Sequence, residues 1–286
     1  MDCRRLYLTS IPEDIPSHIE RLDLSRNQIV NVPEDIFSRN VNIRTLNLGK
    51  NRIRKLPKNV FRVFTNIERI YLYDNQISVI LPGTFDGLFY LESLQLTNNN
   101  LWTLPPKVFD ELLGLKYLSL QRNMIRYLPD NLFDRVLLLK RLQLYSNELD
   151  YLQSGIFNES MSLQYLALHK NKLSHLQDGV FSGLTGLEKL TLYDNDIVEM
   201  ESNVLSGLTM LKLLDISKNK ITSLPSGFLS SIRSENVHIV KLSKNPLVCS
   251  CQLYKEIERL KNKMWGTCDG NVKISTITAQ RFCTLI

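Results

Sequence analysis

The chain has 286 residues, a net charge of +6 and 43% hydrophobic residues, a length that fits one or two domains and a moderate basic bias. No stretch approaches 18 apolar residues, so insertion of this chain into a membrane is not expected. The start, Met1-Asp2-Cys3-Arg4-Arg5, lacks the apolar core of a signal peptide.

In chain order, residues 1–18 precede the first copy of a repeated unit. Asparagine then recurs at Asn27, Asn51, Asn75, Asn99, Asn123, Asn147, Asn171, Asn195 and Asn219, each 24 residues after the last, and Asn245 follows after 26. Around each lies the same pattern, complete in Leu139-Lys140-Arg141-Leu142-Gln143-Leu144-Tyr145-Ser146-Asn147. This is the signature of a leucine-rich repeat. Alternation at Leu142-Gln143-Leu144 predicts a short strand with both leucines inward and Gln143 outward. Stacked strands, one per repeat, predict an α/β repeat solenoid: a horseshoe over 19–245 with about ten parallel strands on its concave face. The asparagines are expected to be structural, bonding the unpaired backbone of adjoining turns.

A second ladder, Phe37, Phe61, Phe85, Phe109, Phe133, Phe157 and Phe181, continued by Leu205 and Leu229, predicts a packed spine on the convex side. Leu56-Pro57, Leu104-Pro105, Leu128-Pro129 and Leu224-Pro225 disfavour α-helix and suit short extended or 3₁₀ segments there. Asn158-Glu159-Ser160 is the single N-glycosylation sequon. Because it follows Phe157, a glycan on Asn158 would project from the convex or lateral side.

Residues 246–286 form a cysteine-rich C-terminal segment with Cys249, Cys251, Cys268 and Cys283. The spacing fits zinc knuckles poorly, so disulfides and an oxidising compartment are expected. Cys249 and Cys251 are too close to bridge easily, which leaves Cys249–Cys268 with Cys251–Cys283, or the crossed alternative. Cys3 is then odd; the simplest account is that the chain begins inside an N-terminal cap, 1–18, whose other cysteines lie upstream.

These features resemble the extracellular leucine-rich-repeat proteins of the 24-residue type, the family of Slit, the Toll-like receptors, the Nogo receptor and the variable lymphocyte receptors. Cys3-x-x-Leu6-x-Leu8-x-x-Ile11-Pro12 looks like the end of the family's N-terminal cap. Asn245-Pro246-Leu247-x-Cys249-x-Cys251, with an amphipathic helix through Leu253, Ile257 and Leu260, looks like its C-terminal cap. The resemblance implies pairing of Cys249 with Cys268 and of Cys251 with Cys283. It also implies an extracellular or cell-surface location. Leu247 departs from the family's usual tryptophan, and Trp265 is expected to supply the missing bulk.

Function should lie on the strand positions that are free of packing. The third, fifth and seventh positions of the repeats hold Tyr71, Tyr73, Tyr117, Tyr145, Tyr165 and Tyr193, six of the 11 tyrosines in the chain. Tyrosine offers contact area with few rotors to freeze, as binding hot spots favour. With them stand Arg69, Gln95, Gln121, Arg141, Gln143, His169 and Lys189. Basic residues interleave with Asp74, Glu92, Glu188 and Asp194, a mixture suited to a protein ligand. A glycosaminoglycan is the alternative, as on a matrix-type structural protein that binds glycan or collagen. The interleaved carboxylates would repel a polyanion, glycosaminoglycan and nucleic acid alike, and nucleic acid is not expected. The four histidines are scattered over different repeats, and neither a phosphate loop nor a metal pattern is present. Neither catalysis nor a cofactor is expected. The reading is a recognition module, either a receptor ectodomain or a secreted binder of immune type.

Overall fold

A computed structural model describes residues 1–230, 232–233 and 235–283. The chain is a parallel β-solenoid of about ten turns, and its contacts divide it into two units, Met1–Glu148 and Leu149–Ile286.

The first unit carries β1 (Arg21–Asp23), β2 (Thr45–Asn47), β3 (Arg69–Tyr71), β4 (Ser93–Gln95), β5 (Tyr117–Ser119) and β6 (Arg141–Gln143). Each strand pairs in parallel with the next, and the register joins equivalent positions, as in Leu46↔Ile70 and Leu94↔Leu118. The central residue of every strand is buried while its neighbours face outward, as a two-residue period dictates. The strands are short because the eighth position of each repeat turns left-handed. Arg26, Lys50, Asp74, Asn98, Arg122 and Ser146 all have φ between 54° and 58°. That conformation is unfavourable for residues other than glycine, asparagine and aspartate. From Arg26 to Arg122 each such residue keeps its amide bonded to the next turn, as in Lys50 N–H to the Tyr73 carbonyl at 2.8 Å and Asp74 N–H to Thr97 at 2.9 Å.

The turn points the following asparagine inward. Asn99 donates through Nδ2 to the carbonyls of Leu72 (2.9 Å) and Leu96 (3.1 Å), while its Oδ1 accepts from Ile77 N–H at 3.0 Å. Asn51, Asn75 and Asn123 repeat this triad of bonds one turn apart. Buried backbone groups at the strand exit are thereby satisfied, the structural role expected of the ladder. On the other side the phenylalanines stack, with ring centroids 6.0 Å apart for Phe61–Phe85 and 6.5 Å for Phe85–Phe109. Phe64, outside the ladder, fills the space beside Phe37 at 5.2 Å. The Leu-Pro pairs lie outside any helix, and hydrogen-bonded turns follow them, such as Phe64 N–H to Phe61 at 2.9 Å. Among the described residues the 3₁₀ helices lie only in the C-terminal segment; in the repeats, one or two turn bonds suffice before the chain must re-enter the core.

The second unit carries β7 (Tyr165–Ala167), β8 (His175–Leu176), β9 (Lys189–Thr191), β10 (Glu199–Met200), β11 (Leu213–Asp215), β12 (Ile239–Lys241), α1 (Cys251–Ile257), β13 (Met264–Trp265), β14 (Thr267–Cys268), β15 (Val272–Lys273) and α2 (Ala279–Phe282). β7, β9, β11, β12 and β13 form its main parallel sheet, while β8 and β10 pair separately. Phe157 and Phe181 stack at 6.5 Å. The disulfides are Cys249–Cys268 and Cys251–Cys283, with Cα atoms 5.1 and 4.7 Å apart, the pairing implied by the family resemblance.

The cap closes the core with Leu247, Leu253, Ile257, Leu260, Met264, Ile274 and Ile277, all buried. Ser250 starts α1 by accepting from Leu253 N–H at 3.1 Å, the usual service of a serine at a helix N-terminus. The expectation that Trp265 fills the place left by Leu247 is wrong, because Trp265 is 62% exposed. It lies one residue beyond buried Met264 in β13, and strand alternation turns it outward. In the first unit, Cys3 is a buried free thiol whose burial raises its pKa. Its backbone joins β1 through Cys3 N–H to the Asp23 carbonyl at 2.8 Å.

Candidate ligand-binding face

The strand faces hold the candidate residues, and each unit fixes its own set. In the first, Tyr73 lies over the backbone of Gly49, its counterpart one repeat earlier. A Cβ at Gly49 would fall 2.5 Å from the Tyr73 ring. Glycine at this position therefore lets the aromatic ring lie down across the preceding turn, a contact that the sequence pattern alone does not disclose. Tyr117 donates through its hydroxyl to Gln143 Oε1 at 2.6 Å, across the β5–β6 pair. Its partial burial raises the phenol pKa, so the ring stays neutral. Thr97 and Ser119 share a short hydrogen bond, and Ser119 donates on to Gln121 Oε1 at 2.7 Å. Gln121 is only 7% exposed; it holds its neighbours in place more than it offers surface. Tyr71, Tyr73, Gln95, Tyr117, Gln143 and Tyr145 are half-buried, and Arg141 is exposed.

Much of the charge on this face is already paired. Glu68 takes Arg44 at 3.0 Å and Arg69 at 3.2 Å, Glu92 takes Lys116 at 2.5 Å, and Asp74 takes Lys50 at 3.6 Å. These are partly exposed ion pairs, worth little to stability.

In the second unit His169 and Tyr193 stack with centroids 4.2 Å apart and planes inclined by 14°. His169 Nδ1 lies 2.9 Å from Thr191 Oγ1. The imidazole is 8% exposed, and burial, assisted by Lys170, lowers its pKa to about 4. It is therefore a neutral aromatic spacer at pH 7. Lys189 places its ammonium 5.1 Å from the centre of the half-buried Tyr165 ring, a cation–π contact. The sequence brings together Tyr165 with Lys189 and His169 with Tyr193, and the structure holds both pairs in contact.

Among the described residues no helix is long and apolar enough to cross a membrane. Asn158, the glycosylation candidate, is exposed beside buried Phe157, and its Oδ1 accepts from Ser182 Oγ at 3.0 Å.

The family model described as leucine rich repeat matches residues 17–77, 42–89, 89–149, 137–197 and 161–221. No curated protein matches the sequence. Among solved structures, a chain of the octameric complex of Latrophilin 3, Unc5D and the leucine-rich repeats of FLRT2 is similar over 96% of this chain and 94% of that one, with 24% identity and a TM-score of 0.72. A chain of the TLR13–ssRNA13 complex is similar with 24% identity and a TM-score of 0.74, covering 87% of this chain and 40% of that one. A chain of the Drosophila Toll–Spatzle complex is similar with 20% identity and a TM-score of 0.69, covering 91% and 48%. Against the last two, the chain spans less than half the length of the structure it matches.

Proposed function

The chain belongs to the leucine-rich-repeat family, and on that premise we propose that it is a non-catalytic recognition module whose strand faces bind a protein ligand outside the cell or at its surface. The observation that carries this reading is the fixing of half-exposed aromatic rings by their neighbours: Tyr73 over Gly49, Tyr117 on Gln143, Tyr193 on His169, and Tyr165 under Lys189. A ring already held in one orientation loses little entropy when a partner covers it. Leucine, isoleucine or valine at those positions would serve the strand as well, without a hydroxyl at the rim. The two disulfides support a secreted or cell-surface site of action. The solved neighbours named for Latrophilin 3, Unc5D and Spatzle support a protein as the ligand class. The ectodomain of a receptor and a soluble immune-type binder are both consistent with this role.

The test is capture of a binding protein from extracellular fluid, followed by affinity measurement. Tyr117→Ala and Tyr193→Ala should each weaken binding by about 2 kcal/mol, or roughly thirtyfold, with little change in thermal midpoint. Lys58→Ala and Lys220→Ala should leave affinity near wild type. If the tyrosine variants bind normally and the lysine variants fail, the binding face is elsewhere.

A further inference from the structure

The last strand of the second unit's main sheet is made by the cap, not by a repeat. Met264–Trp265 continues the register, Trp265 pairing beside Lys241 as Lys241 pairs beside Asp215. The cap thus adds an indole to the strand face, at the position equivalent to the outward fifth residue of a repeat. Trp265 is 62% exposed and Trp102, in the first unit, 54%; what sets Trp265 apart is its surroundings. Trp265 borders a depression of about 610 Å³ lined also by Ser243, Lys244, Asn262, Thr267 and Lys273. None of the residues lining it is a carboxylate. Asp215 is engaged by Lys241 at 3.4 Å and Glu188 by Lys212 at 2.9 Å. Lys244 and Lys273 have no ion pair among the described residues. The depression therefore combines one flat aromatic wall, two unneutralised ammonium groups and a rim of hydroxyl and amide groups.

We infer that this depression binds an acidic sugar unit, a uronate or sulfated hexosamine within a glycan chain. The indole face matches the C–H face of a pyranose, the two lysines match its carboxylate or sulfate, and Ser243, Asn262 and Thr267 match its hydroxyls. The volume lies within the range of small-ligand sites. A single-stranded nucleic acid is the weaker fit, because stacking platforms for such strands use successive rings, and this depression has one.

The experiment uses the full chain in a Trp102→Phe background, which leaves Trp265 as its only tryptophan. A heparin-derived hexasaccharide should change Trp265 fluorescence saturably, with affinity falling as salt rises. Trp265→Ala, followed by calorimetry, should weaken binding at least tenfold while the thermal midpoint holds, and Trp265→Tyr should recover part of the loss. Lys244→Ala and Lys273→Ala should each weaken binding several-fold and flatten the salt dependence by about one counterion. Equal affinity for an uncharged hexasaccharide would overturn the acidic component. Equal affinity for a single-stranded RNA of the same charge would overturn the sugar class. Binding indifferent to Trp265→Ala, or no fluorescence response to the hexasaccharide, would overturn the site. Because the tyrosine variants lie on other strands, these outcomes are separable from loss of protein binding.

Discussion

The two sides of the same strands obey different rules. Inside, successive repeats of the first unit make the same contact at nearly the same distance: Asn51, Asn75, Asn99 and Asn123 each donate at 2.9–3.1 Å to two leucine carbonyls. Outside, the contacts of the candidate residues differ from turn to turn: a tyrosine covers a glycine, another donates to a glutamine, a histidine stacks on a tyrosine. Repetition inside makes stability a sum over turns. Variation outside means that the turns are individually replaceable without loss of the scaffold, so recognition can be altered while the fold persists.

The comparison is most easily broken from the inside. Phe85 is 1% exposed between Phe61 and Phe109, and Phe85→Ala should destabilise the protein by about 3–5 kcal/mol through lost burial and a cavity. Asn99→Ala should follow, at about 1–3 kcal/mol for each backbone group left buried without a partner. Denaturant unfolding of both variants checks this. A loss below that of an ordinary surface substitution at either site would mean that the ladders do not hold the turns together.

A pH series sharpens the contrast. His169 is held near pKa 4, against 6.5 in an unfolded chain, so between these values the unfolded state binds the extra proton. Stability from keeping this ring neutral is complete above about pH 6.5 and is lost as pH falls toward 4, by up to about 3 kcal/mol. Lys170 and Lys189 lower this pKa further and Asp215 and Asp194 oppose them, while carboxylates titrate in the same acidic window. The readout is therefore the difference between wild type and His169→Gln. The variant's thermal midpoint should fall less steeply from pH 7 to pH 4.5; parallel curves would show that the ring accepts a proton in the folded state.

Gly49 tests the outside contact at small energetic expense. In Gly49→Ala the new methyl meets the Tyr73 ring, a movable group, so stability should shift by about 0.5 kcal/mol or less. The ring must nevertheless lift, and partner affinity should fall in the manner of Tyr73→Ala. Equal affinity for wild type and Gly49→Ala would remove Tyr73 from the binding surface.

This division also explains what could be read from the chain. Asn27 to Asn245 and the Phe37 to Phe181 ladder were legible because one physical duty recurs at one spacing. So was the set of outward tyrosines, since strand alternation assigns faces. The left-handed turn at Arg26, Lys50 and their equivalents was not, because arginine and lysine give no local sign of that conformation and tertiary bonding imposes it. Gly49 under Tyr73 pairs unlike residues 24 apart and belongs to no ladder. Trp265 was misplaced inward because its two-residue strand lies outside the repeat, where no periodicity assigns a face.

The smallest effect concerns Asn158. Its side chain is exposed in the turn beside Phe157, whereas β7 begins only at Tyr165. A glycan there would occupy solvent on the side of the phenylalanine ladder, leaving Tyr165, His169 and Tyr193 uncovered. Its acceptor bond from Ser182 uses Oδ1, so the amide nitrogen is the atom left for attachment. Expressed through a eukaryotic secretory route, the protein should gain the mass of a single N-glycan, and Asn158→Gln should remove it. Affinity for the protein partner should be the same with and without the sugar. A change in affinity with an unchanged thermal midpoint would place part of the binding surface on the outer turns, and the strand faces would then account for only a share of recognition.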